Sequence, residues 1–143
     1  MHRLRHVIQR RHAVHATPEA SAYEVAALMT AAGVGAIPIL EGDCLVGIFT
    51  ERDLMGRVVV RRLDPERTHV GDVMTREVVT ATLEEHVDLC VEKMRTTGCR
   101  HLPVLAAGRL IGMLSMRDLL RDELEEQGDE LRHLRAYLHQ TPV

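Results

Sequence analysis

Apolar and polar positions along the chain follow one order of rhythms, and the chain runs through that order twice. In the later copy Val87, Cys90, Val91 and Met94 fall at i, i+3, i+4 and i+7, which is one face of a helix. In the earlier copy Ala22, Val25, Ala26 and Met29 fall the same way. Gly33 and Gly98 follow where a helix stops, because glycine takes the left-handed backbone that closes a helix without penalty. Two short apolar runs come next, split by a turn. They are residues 36–40 and 45–49 around Glu41, Gly42, Asp43 and Cys44, then residues 102–105 and 110–114 around Ala106, Ala107 and Gly108. A glycine in so short a connection predicts a β-hairpin. A β-prone stretch precedes each helix, at residues 13–16 and 78–81, and a second helix is predicted to start at Glu51 and at Met116. The predicted unit is β-α-β-β-α, and the fold class is α/β (α+β).

The two copies overlay without a gap at an offset of 65 residues. Ala16-Thr17 falls on Ala81-Thr82, Met29 on Met94, Gly33 on Gly98, Pro38 on Pro103, Gly47 on Gly112, and Arg52-Asp53-Leu54 on Arg117-Asp118-Leu119. The implied organisation is a first repeat over residues 1–60, a polar linker over 61–69, a second repeat over 70–121 and a helical tail over 122–143. A single copy of roughly 55 residues is marginal alone, so the two are expected to pack together about a pseudo-two-fold axis.

Composition narrows the function classes. A formal net charge of −3 over 143 residues lacks the basic excess of a dedicated nucleic-acid binder. Three aromatic residues, Tyr23, Phe49 and Tyr137, are too few for base-stacking platforms. No apolar run approaches the roughly 20 residues of a membrane span. Residues 1–12 are basic but lack the apolar stretch of a secretory signal, so a cytoplasmic location is expected. Cys44, Cys90 and Cys99 form no CxxC pair and are expected to be small buried hydrophobes. Nine histidines include the spacings His2/His6 and His12/His15, but no acidic or cysteine partner completes a ligand set, so no metal is expected. No nucleophile–base constellation or phosphate-loop motif is present, and no enzyme is expected.

Two stretches, Gly47-Ile48-Phe49-Thr50-Glu51-Arg52-Asp53 and Gly112-Met113-Leu114-Ser115-Met116-Arg117-Asp118, are similar to the Gly-apolar-x-Thr/Ser-x-x-Asp signature of CBS (cystathionine-β-synthase-type) repeats. Val70-Gly71-Asp72-Val73-Met74-Thr75 resembles that family's lead-in, and Val34–Ile39 and Cys99–Val104 resemble its central strand. Two repeats in tandem resemble the paired module called a Bateman domain, over about residues 4–121. The first lead-in departs, with Arg5-His6-Val7-Ile8-Gln9 where the second has residues 70–74.

The resemblance implies binding of AMP, ADP, ATP or S-adenosylmethionine in clefts between the repeats, with no required cofactor. It gives the ribose hydroxyls to Asp53 and Asp118, the phosphate to Thr50 and Ser115, and the adenine pocket to the strands around Ala36, Ile37, Pro38 and around Leu102, Pro103. Thr82, Arg100 and His101 complete the candidate set. A carboxylate suits a cis-diol, and a hydroxyl at a helix start sits where phosphate is welcome. The same residues also make a plain helix cap. Arg100 and His101 face Gly35 and Ala36 in the overlay, so the Asp118 site is expected to hold phosphorylated nucleotide more tightly.

A sensor that acts through an unknown effector protein, assembled as a homodimer, is the expected function. One rival is a ligand-free dimerisation scaffold. Another is a nucleic-acid-binding regulator using Arg3, Arg5, Arg10 and Arg11. The tail carries Leu120, Leu124, Leu131, Leu134 and Leu138 near heptad spacing, with Gln127 at a seam position and Gly128 weakening the middle. Such a stripe either docks on its own domain or joins a dimer.

Overall fold

In the computed structural model the described residues are 3–8 and 14–140. Helix α1 (Leu4–Ile8) leads into α2 (Ala22–Ala32), β1 (Ala36–Glu41), β2 (Cys44–Thr50) and α3 (Glu51–Asp53), which continues as a π-helical stretch over Leu54–Val59. The second half runs α4 (Val70–Val73), β3 (Ala81–Thr82), α5 (Val87–Thr97), β4 (His101–Ala106), β5 (Arg109–Ser115) and α6 (Met116–Gln140). The second half keeps the β-α-β-β-α order, while the described residues of the first half show α-β-β-α without a leading strand, and both second helices start where the sequence places them.

Helix α2 starts at a reciprocal capping box between Ser21 and Glu24 and stops at Gly33, whose φ of 67° opens the left-handed turn. Gly98 ends α5 with a φ of 72°. Ala22, Val25 and Met29 are buried, as are Val87, Cys90 and Met94, so the inward stripe is i, i+3, i+7. Val91, predicted on that face, sits at its edge and is exposed. The hairpins are tighter than predicted. Glu41 pairs with Cys44 and Ala106 with Arg109, leaving two-residue turns. In the second, Ala107 and Gly108 both take positive φ (52° and 78°), the combination that matches strand twist.

In the second half β3 pairs parallel with β4, which pairs antiparallel with β5. The first half repeats this with a single parallel bridge, Ala16 to Ile39, in place of β3. Alternation along the strands gives each sheet a fully buried face and a second face that is buried in the first sheet and half-buried in the second. Ile37, Ile39 and Phe49 enter one helix-covered core, and Leu102, Val104 and Leu114 enter the other. Ala36, Pro38 and Ile48 lie on the opposite face and are buried too. That face meets the other half, where β2 lies against β5.

The lead-ins cross over. Val70, Val73 and Met74 pack in the core of the first half, and Leu4 packs in the core of the second. Val70 N donates to Ala20 O (2.8 Å) and Leu4 N to Glu85 O (3.1 Å). Ala20 and Glu85 keep the 65-residue offset, whereas Leu4 and Val70 are 66 apart. The first lead-in therefore matches one position away from the ungapped overlay, and its connector is one residue longer. Of the cysteines only Cys90 is buried; Cys44 and Cys99 are exposed, contrary to expectation. Burial and Glu85 push the Cys90 thiol up to about 11, so it stays protonated.

Candidate nucleotide site

The site is built where each hairpin runs into its second helix. Thr50 keeps an extended backbone (φ −119°, ψ 165°), so its side chain turns back over the first turn of α3. Its Oγ1 accepts from Asp53 N at 3.1 Å, and Thr50 N donates to Asp53 Oδ2 at 3.1 Å. Ser115 and Asp118 repeat the box: Ser115 Oγ accepts from Asp118 N at 3.1 Å, and Ser115 N donates to Asp118 Oδ2 at 3.0 Å. Both aspartates are buried. The cap role weighed from sequence is therefore present in both copies. It leaves carboxylate lone pairs for further donors, since an ionised carboxylate offers about four acceptor positions.

In the first half those positions are already engaged. Thr75 Oγ1, from the crossed-over lead-in, donates to Asp53 Oδ1 at 3.0 Å and Oδ2 at 3.1 Å. Arg57 Nε stands 3.6 Å from Oδ1, and its Nη1 donates to Met74 O at 2.9 Å. Thr75 and Ile48 also exchange backbone hydrogen bonds (2.8 and 2.9 Å), which fixes the lead-in along β2. The approach is close because Gly47 has no side chain: a Cβ there would lie 2.5 Å from Met74 Sδ. Thr75 and Arg57 were missed from sequence. The glycine opposite them is the signal that could have located them.

The sheet faces sort the remaining candidates. Ala36, Pro38 and Thr50 share the face of β1–β2 that meets the other half, and His101, Pro103 and Ser115 share the corresponding face of β4–β5. Ile37 and Leu102 point the other way, wholly buried in the two cores, so only their backbones can line a cleft. Thr82 is exposed beside Leu105 on β3, away from the β2–β5 contact. Arg100 is exposed; its carbonyl accepts from Met116 N at 2.8 Å, as Gly35 O accepts from Glu51 N at 3.0 Å. The Glu51 carboxylate folds over Gly35, about 3.2 Å from where a Cβ would be.

His101 lies between charges from both halves. Burial lowers its pKa, while Glu51 and Asp118 pull upward and Arg100 and Arg117 downward. A carboxylate from each half, Glu51 and Asp118, is felt at its ring. Surface hollows away from this face, around His69, Gly71 and Arg76, carry none of the candidate residues.

The duplicated helix-start turns, the crossed lead-ins and the paired hairpins coincide with the CBS domain family model, which matches residues 4–60 and 70–125. The chain belongs to the CBS domain family. It is 35% identical over 127 residues to "CBS domain-containing protein CBSX3, mitochondrial" of Arabidopsis thaliana, which covers 85% of the chain. The chain spans 62% of that relative's length. A putative signal-transduction protein with CBS domains from Burkholderia ambifaria superposes with a TM-score of 0.78 at 34% identity, covering 82% of this chain and 86% of that one. A CBS domain protein from Pyrobaculum aerophilum, solved complexed with AMP, gives a TM-score of 0.73 at 28% identity over 82% of this chain and 89% of its own. Two CBS repeats about a pseudo-two-fold axis are thus the architecture of this chain.

Proposed function

We propose that this chain is a regulatory module that binds an adenosine nucleotide (AMP, ADP or ATP, with S-adenosylmethionine the alternative) at the face between its repeats. It passes the resulting change to a partner protein as a homodimer. The observation that carries this is the pair of equivalent Thr/Ser–Asp turns, each with its hydroxyl and carboxylate joined to the start of a helix at the same face. The AMP complex of the Pyrobaculum relative supports the ligand class. Ligand binding biases the packing of the halves only through its different affinity for the two arrangements. The reading is of a regulatory rather than a catalytic module, one that calls for no cofactor and no metal.

We propose further that the two sites are unequal. Arg100 and His101 stand beside the Asp118 turn, while the first half offers Gly35 and Ala36, with the Glu51 carboxylate over Gly35. Separate Asp53→Asn and Asp118→Asn titrations test this; equal affinity losses overturn it.

Thermal unfolding with AMP, ADP, ATP and S-adenosylmethionine tests the sensor itself. A ligand at 100 times its Kd adds about 2.7 kcal/mol, a rise of roughly 5–10 °C at this chain length. The rise is expected to shrink strongly in Asp118→Ala. No shift with any ligand at millimolar concentration favours the scaffold reading, which the capping boxes and the Thr75–Asp53 contact also support. For the nucleic-acid reading, Arg3 and Arg5 are engaged with Glu84, and Arg10 and Arg11 lie outside the described residues. Among the described residues no helix is long and apolar enough to cross a membrane; the cytoplasm remains the proposed location, although the Arabidopsis relative is named mitochondrial.

A further inference from the structure

Helix α6 leaves its own half after Leu119, which is buried in the second core. From Glu123 to Leu138 every residue is exposed or half-exposed. The tail therefore does not dock on its own domain: Leu124, Leu131, Leu134 and Leu138 are 68, 49, 55 and 61% exposed. A water-exposed apolar stripe over several turns marks an interaction surface.

The spacing Leu120, Leu124, Gln127, Leu131, Leu134, Leu138 alternates by four and three without a break, which is the a/d seam of a coiled coil. That frame puts Leu124, Leu131 and Leu138 at a and Leu120, Gln127 and Leu134 at d. Glu123 and Glu130 then occupy g, and Arg121 and Arg135 occupy e. In a parallel pair, g of one helix meets e of the next heptad on the other, so Glu130 meets Arg135 of the partner subunit, twice by symmetry. Gln127 meets Gln127 of the partner subunit, amide to amide. In an antiparallel pair with the same six positions overlapped, Glu130 would meet Glu130 of the partner subunit. Gln127 would then face Leu131 of the partner subunit. Charge and polarity both favour the parallel arrangement.

We propose that the occupant of this stripe is a second copy of the same chain, and that the α6 tails pair as a parallel, in-register coiled coil. The pairing places the two second repeats side by side, a head-to-head dimer. It deepens the homodimer part of the proposed function, and the test separates the two.

The full chain is examined by sedimentation equilibrium, with Glu130→Arg, Arg135→Glu and the double substitution. Each single change is expected to weaken dimerisation by roughly tenfold, and the double to restore it to within about twofold. In a Cys44→Ser/Cys99→Ser background, Leu134→Cys is expected to oxidise to a covalent dimer. Dimers unaffected by the single changes, a double variant as weak as the singles, or no Leu134→Cys cross-link in a persisting dimer overturn the tail pairing and leave the homodimer standing. A full-length chain that stays monomeric overturns both.

Discussion

At the scale of single residues, Asp53 shows how one carboxylate can serve fold and ligand together. It closes the Thr50 capping box and receives Thr75 from the crossed-over lead-in. Thr75→Val removes that donor beside a buried carboxylate, and should cost about 1–3 kcal/mol by urea unfolding; Thr75→Ser should cost much less. If both variants match the parent, the contact does not hold the lead-in. His101 is a second case. Its folded-state pKa lies below the ordinary value of about 6.5, so below that pH the unfolded chain takes up a proton the folded chain resists. Stability is therefore full above about pH 6.5 and is lost as pH falls toward the lowered value. His101→Gln should flatten that part of the Tm profile between pH 5 and 7; an unchanged slope would assign it to other histidines.

At the scale of elements, much was legible. The fixed repeat spacing located both hairpins and both helix starts, because glycine and the Thr/Ser–Asp turns mark element ends through local backbone requirements. Which lead-in covers which core was not legible. The apolar pattern of residues 70–74 is satisfied equally by either half, and an overlay of copies carries no information about crossing. Likewise the family resemblance names Ile37 and Leu102 for the pocket, but only strand alternation shows that their side chains go to the cores, which leaves their backbones to face a cleft. Gly47 is where the crossing imposes a local demand. An added Cβ there meets Met74 Sδ at 2.5 Å and Thr75 O at 2.9 Å, and the backbone oxygen cannot swing aside. Gly47→Ala should therefore destabilise by about 1–3 kcal/mol, as overpacking does. It should also lower ligand affinity, because it displaces the segment that holds Asp53. An alanine variant with the parent's stability would mean that the lead-in is loosely held.

At the scale of the molecule, the crossing makes each half depend on a segment that precedes the other. The second core is sealed by Leu4, which is wholly buried, and the first by Val70, Val73 and Met74. Neither half can unfold without exposing the lead-in of the other half, which it buries. The halves also share the β2–β5 face, where Glu51 and Asp118 are both felt at His101. Under the proposed sensor reading, the two sites would be joined by packed residues rather than by a flexible linker, as coupling between sites requires. The physical consequence is joint unfolding. Leu4→Ala should cost about 2–5 kcal/mol by leaving a cavity in the second core. Because the cores are interlocked, calorimetry should still give one transition at a lower Tm, with calorimetric and van't Hoff enthalpies equal. Two resolved transitions, with only the lower displaced by Leu4→Ala, would mean that the halves fold independently and that coupling must come from the ligand or from the dimer.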